Sequence, residues 1–125
     1  MIKNLLLVAL GGGIGSTARY LCQKWFNENY PHPFPWGTFL VNLFGCFLIG
    51  VIYAASEKST AISPQTRLLL ITGFCGGFTT FSTFAFENMS LLRSGDFLYF
   101  SIYIVASVAL GIAGVFAGIV IMKLL

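Results

Sequence analysis

Residues 72–87 read Thr-Gly-Phe-Cys-Gly-Gly-Phe-Thr-Thr-Phe-Ser-Thr-Phe-Ala-Phe-Glu and lie in an apolar segment where an unbroken spanning helix would be expected. Gly73, Gly76 and Gly77 weaken a helix there, and the hydroxyls of Thr79, Thr80, Ser82 and Thr83 compete for its backbone hydrogen bonds. Phe78, Phe81, Phe84 and Phe86 crowd the same interval. Lipid offers no partner to a freed N–H or C=O, so an irregular backbone at membrane depth must be enclosed by protein or line a wet path. A third span broken within this stretch is therefore expected, and the break marks a candidate ion or substrate site.

The rest of the chain supports the membrane reading. Its 125 residues are 57% hydrophobic and only 9% charged, with a mean hydropathy of +0.86, which excludes an ordinary soluble domain. The net charge of +3 is spread along the chain without a basic cluster, so no nucleic-acid partner is expected. Cys22, Cys46 and Cys75 fall in or beside apolar segments, where thiols act as small hydrophobes, and no structural disulfide is expected. The apolar run after Lys3 passes through Gly11 and Gly15 to Leu21 and reads as a retained span, not a cleaved signal.

A span needs about 20 apolar residues, and four segments meet that need: residues 4–22, 36–56, 68–86 and 97–122. A proline-marked loop, a second loop containing Pro64 and a tight turn at Ser94-Gly95 join them. The chain thus reads as one all-α, four-span domain covering residues 1–125. With four spans, Lys3, Lys58, Arg67 and Lys123 share one side, against Lys24 and Arg93 on the other, with Arg19 if it reaches the surface. So weak a bias is either a noisy count or the mark of a chain inserted both ways and paired as an antiparallel homodimer. Gly11 with Gly15, Gly73 with Gly77 and Gly114 with Gly118 read as faces for close helix packing.

The spans carry polar atoms but no lysine or arginine at mid-depth. Asn42 and Thr38 lie one turn apart on span two, and Tyr103 and Ser107 one turn apart on span four. The Asn42 amide either bonds another helix or offers donors to an anion, and Ser107 is satisfied either by its own preceding carbonyl or by a ligand. Phe81 and Phe84, at i and i+3, present ring edges that attract an anion without trapping it, or they simply pack. Glu87 is the one carboxylate placed to titrate inside the membrane; it lies at a vestibule or pairs with Arg19, itself a vestibule candidate. His32 is the only histidine and sits among prolines, so no hydrolase constellation is available and enzymatic activity is not expected.

Three stretches carry a resemblance to a known family: Gly11-Gly12-Gly13-Ile14-Gly15-Ser16-Thr17-Ala18-Arg19-Tyr20, Gly37-Thr38-Phe39-Leu40-Val41-Asn42-Leu43-Phe44-Gly45, and Thr72 through Phe84 of the broken segment. In this order within four spans, the chain resembles the CrcB or Fluc fluoride channels along essentially its whole length. The resemblance implies a multi-pass protein of the cell (inner) membrane, a dual-topology antiparallel homodimer with two pores that lowers intracellular fluoride by passive flow. It implies Asn42 as the pore asparagine, Phe81 and Phe84 as pore phenylalanines, and Thr38, Glu87, Tyr103 and Ser107 as a polar track beside Ser82 and Thr83. It also implies a structural Na⁺ at the dimer centre, held by the backbone carbonyls of Gly76 and Thr79 from both subunits. Where some relatives carry another hydroxyl beyond Ser107, this chain has Gly111. A proton-coupled four-span transporter and a non-conducting membrane scaffold are the competing classes; the small multidrug exporters rely on a carboxylate in span one, which is absent here.

Overall fold

In the computed structural model, which describes residues 1–125, the chain is all-helical with four helices long and apolar enough to cross a membrane. Helix α1 runs Ile2–Asn29 and α2 runs Trp36–Lys58, each longer than its apolar run because polar ends continue the helix past the interface. The third span occupies Pro64–Arg93 in two parts. Its first part, α3, covers residues 64–78: one α-turn Pro64–Arg67, a π-helical stretch Leu68–Cys75 and a final turn Gly76–Phe78. The second part, α4, is Phe81–Arg93, and α5 is Phe97–Leu124. Gly95, with φ of +80°, makes the tight turn between α4 and α5, a conformation that only glycine adopts without strain.

The break is present within the expected stretch and falls just past the glycines. Gly76 has helical angles (φ −62°, ψ −35°), and the chain leaves the helix at Thr79 (φ −82°, ψ 157°) and Thr80 (φ −148°, ψ 122°). Branching at Cβ makes threonine at ease in extended backbone, and the Thr80 hydroxyl then caps α4 by accepting the Thr83 N–H at 3.2 Å.

The glycines serve packing instead. A Cβ on Gly11 would strike the Leu69 carbonyl oxygen, and one on Gly15 the Phe74 carbonyl oxygen. Gly73 and Gly77 present the matching bare surface, so α1 and α3 meet backbone to backbone. The α2–α5 pair repeats this with Gly50 against the Val115 carbonyl and Gly118 against the Phe47 carbonyl; Gly114, named with Gly118 from spacing, is less tightly packed. Tyr103, Phe34, Phe39 and Leu91 form a small buried cluster at one end.

Only 18 of 125 residues are buried within the protomer, so most of its apolar surface faces outward. Together with the four apolar helices, this makes the chain a multi-pass membrane protein. Gly15→Val is expected to destabilise the α1–α3 pair by about 1–3 kcal/mol or more, as overpacking against backbone allows no side-chain escape. Gly13→Ala, at a position with nothing within 4 Å in the protomer, is expected to be tolerated. Thermal unfolding in detergent distinguishes the two, and equal stability would refute the packing role.

Candidate functional site

Two extended residues in the third span free backbone groups that need partners, and Asn42 on α2 supplies them in both directions. Its Oδ1 accepts the Thr80 N–H at 2.8 Å and its Nδ2 donates to the Thr80 carbonyl at 3.0 Å. One carboxamide thus pairs as a neighbouring strand would, and one Nδ2 hydrogen remains uncommitted. Both of the sequence alternatives for Asn42 are open to it: it bonds a second helix and still has a donor to offer.

The diverted donors have a second effect. In an unbroken helix the Thr80 N–H would close on the Gly76 carbonyl and the Thr83 N–H on that of Thr79. The first goes to Asn42 and the second to the Thr80 hydroxyl. The carbonyls of Gly76 and Thr79 therefore lose their usual helical donors. This leaves oxygen lone pairs of the kind a hard monovalent cation accepts.

A groove of about 290 Å³ opens beside the break, lined by Asn42, Cys46, Thr79, Thr80, Phe81, Phe84 and Ser107 among others. Phe81 and Phe84 are neighbours there, with ring centroids 5.8 Å apart and planes inclined by 41°. Phe84 leans edge-to-face on Tyr103 at 4.8 Å, whereas Phe81 is 78% exposed in the protomer and forms the open lip. The Ser107 hydroxyl is buried without a hydrogen-bond partner, so it is not satisfied by its own preceding carbonyl. Ser82 is exposed and Thr83 half-buried, and neither lines this groove.

The track continues from the groove toward one end of the bundle. Tyr103, fully buried, donates to Glu87 Oε1 at 2.8 Å, and Thr38 donates to Glu87 Oε2 at 3.0 Å. Glu87 also lines a mouth of about 490 Å³ with His32, Ser90, Ser94 and Asp96, so its carboxylate separates that mouth from the buried hydroxyls. Of the two alternatives for Glu87, the structure places it at a mouth and does not pair it with Arg19. Arg19 Nε instead donates to the Gly77 carbonyl at 3.0 Å, joined there by the Ser16 hydroxyl at 3.4 Å. A cation at the C-terminal end of α3 suits the negative end of the helix dipole, which is a stronger local attraction than a distant carboxylate provides.

Two participants escaped the sequence reading. Gln23 donates from Nε2 to Thr38 Oγ1 at 2.9 Å, extending the track to α1. Asn88 is buried, donates to the Phe84 carbonyl at 3.0 Å and leaves its Oδ1 unpartnered. The first had a signal: Ser16, Arg19 and Gln23 recur at helical spacing as a polar stripe on an otherwise apolar span.

The profile of the CrcB-like protein, camphor resistance (CrcB) family matches residues 6–119. The chain belongs to the CrcB family. It is 51% identical over 121 residues to the fluoride-specific ion channel FluC of Leptospira interrogans serovar copenhageni, covering 97% of this chain and 95% of the relative. A relative of the same name from Phocaeicola vulgatus is 51% identical over 118 residues, covering 94% and 97%. Another from Chlorobaculum tepidum is 49% identical over 124 residues, covering 99% and 98%. The CrcB-family match extends over all four spans, including the break.

Asn42→Leu is expected to leave the Thr80 N–H and carbonyl unpaired together, at a cost of about 1–3 kcal/mol for two partly buried polar groups. Asn42→Asp keeps the acceptor for the Thr80 N–H and is expected to fall between Leu and the parent. Thermal unfolding of the purified variants checks the order; an Asn42→Leu protein as stable as the parent would remove Asn42 from its role at the break.

Proposed function

We propose that this protein is a fluoride-selective channel of the inner membrane that lets the ion leave the cell by passive flow, lowering its internal concentration. One observation carries the reading: a groove at a helix break combines an amide donor, an unpartnered hydroxyl and phenylalanine edges, without a lysine or arginine among its lining residues. A small, strongly hydrated anion must exchange water for many donors, and a single cationic site would hold it too tightly to conduct. The relatives' names as fluoride-specific ion channels support fluoride as the anion and a channel rather than an enzyme.

In this reading Asn42, Phe81, Phe84 and Ser107 meet the ion near mid-depth, and Thr38, Glu87 and Tyr103 continue the path, with Ser82 and Thr83 on the adjoining surface. Arg19, bonded to the Gly77 carbonyl in the last turn of α3, adds positive potential beside the break. The open lip at Phe81, 78% exposed in the protomer, supports an antiparallel homodimer surrounded by lipid, in which a second copy in the opposite orientation would cover it. The weak basic bias between the two sides agrees with dual insertion.

A sodium ion at the dimer centre fits the carbonyls of Gly76 and Thr79, each deprived of its helical donor, with two from each subunit. When bound, the ion supplies positive charge that neutralises those oxygens and ties the two broken spans together. The chain's own part is to hold the break open, through Asn42 and the Thr80 cap.

Liposomes loaded with fluoride test the reading. Efflux through the purified protein is expected to be electrogenic, to follow the electrochemical gradient and to exclude chloride. Obligatory proton exchange would favour a transporter using Glu87, and trapped fluoride would favour a scaffold. Phe81→Ile or Phe84→Ile keeps most of the apolar volume but removes the ring quadrupole, so efflux is expected to fall by about tenfold or more; near-parental rates in both would reduce the rings to packing. Labelling of terminal tags is expected to find each terminus on both membrane faces, and a uniform orientation would sink the antiparallel dimer.

A further inference from the structure

We propose that Gln23 is a positioning residue of the ion path, setting the direction of the Thr38 proton and thereby the docking of Glu87; this rests on the channel reading above. The argument follows from counting protons. Thr38 has a single hydroxyl hydrogen, and its oxygen already accepts the Gln23 Nε2 hydrogen at 2.9 Å. An N–H donor cannot receive that hydrogen back, so Thr38 directs it to Glu87 Oε2. Tyr103 occupies the other carboxylate oxygen. The result is a one-way chain, Gln23 to Thr38 to Glu87, closed from the far side by Tyr103.

The surroundings leave Glu87 dependent on this chain. The only ion pair within 4.0 Å in the protomer joins Lys24 and Glu28, so no cation holds the Glu87 carboxylate. Around it stand Thr38 from α2, Tyr103 from α5 and, across the mouth, His32 and Asp96. Thr38 is 2% exposed, so the donor to its hydroxyl oxygen is the Gln23 amide and not bulk water. The approach of α1 is itself built in. Gly37 is buried, and a Cβ there would lie 3.4 Å from the Gln23 Cα and 3.2 Å from the Phe26 Cβ. The bare glycine brings the Gln23 amide within reach of the next residue along α2.

An anion passing this point must take hydroxyl hydrogens that Glu87 now holds. Thr38 can offer its own only by turning about an oxygen that Gln23 keeps in place. Gln23 therefore acts through Thr38 and need not touch the ion.

The test is a double-mutant cycle of fluoride efflux from liposomes. Gln23→Met keeps length and most of the volume but removes the donor, and is expected to slow efflux by up to about tenfold, the loss of one partly buried hydrogen bond. In a Thr38→Val background the same change is expected to cost less than about twofold, because the intermediary is gone. Gln23→Glu, which draws the Thr38 proton toward itself, is expected to be slower than Gln23→Met, and Gln23→His, which retains an N–H, faster. Equal losses with and without Thr38, or parental efflux in Gln23→Met, would overturn the assignment and leave a packing role. A separate readout does not require conduction: the Gln23 side-chain amide resonances in isotopically labelled protein are expected to shift in Thr38→Val and Glu87→Gln. Unmoved resonances would refute the chain, whereas shifted resonances in a protein that does not pass fluoride would refute the channel reading alone.

Discussion

The two-way bond between Asn42 and Thr80 is the interaction on which the rest of the site depends. A spanning segment that turns extended for two residues exposes backbone groups that lipid cannot satisfy. Asn42 pairs both the N–H and the carbonyl of Thr80, and the Thr80 hydroxyl restarts the helix. The same diversion frees the Gly76 and Thr79 carbonyls and turns Phe81 and Phe84 toward a groove. The backbone groups that would make the break costly are in this way either paired or available to a ligand.

Close helix approach makes that pairing possible. Bare surfaces on α1 and α3 bring the first span against the first half of the third, and Gly45 leaves room for the Thr79 methyl. Arg19 and Ser16 then converge on the Gly77 carbonyl from α1. Packing and polar chemistry are coupled: a side chain on Gly11 or Gly15 would move the segment whose last turn presents those carbonyls.

The polar residues divide into two electrostatic regimes. Near the break, donors are neutral and partly uncommitted, as at Ser107 and the second Asn42 hydrogen. Toward the mouth, Thr38 and Tyr103 are committed to the Glu87 carboxylate. For the proposed channel this means that an anion meets free donors near the break and donors in competition with a fixed charge toward the mouth.

Hydropathy alone determined the four spans and the membrane setting, because burying a charge or an unpaired backbone group in lipid is costly enough to leave a compositional mark. Residue identity carried the motifs around Asn42, Phe81 and Phe84, and the glycines and hydroxyls of residues 72–87 the existence of a break in the third span. Which residues of that stretch leave the helix was not legible from propensity: glycine lowers helix stability in isolation, but Gly73 and Gly77 remain helical here because the contact with α1 outweighs that penalty. Which partner each polar atom takes was equally a tertiary matter. Arg19 and Glu87 look complementary along the chain, yet Arg19 reaches the end of α3 and Glu87 the hydroxyls of α2 and α5. Hydrogen bonds are decided over about 3 Å, and only the packed helices fix positions to that tolerance.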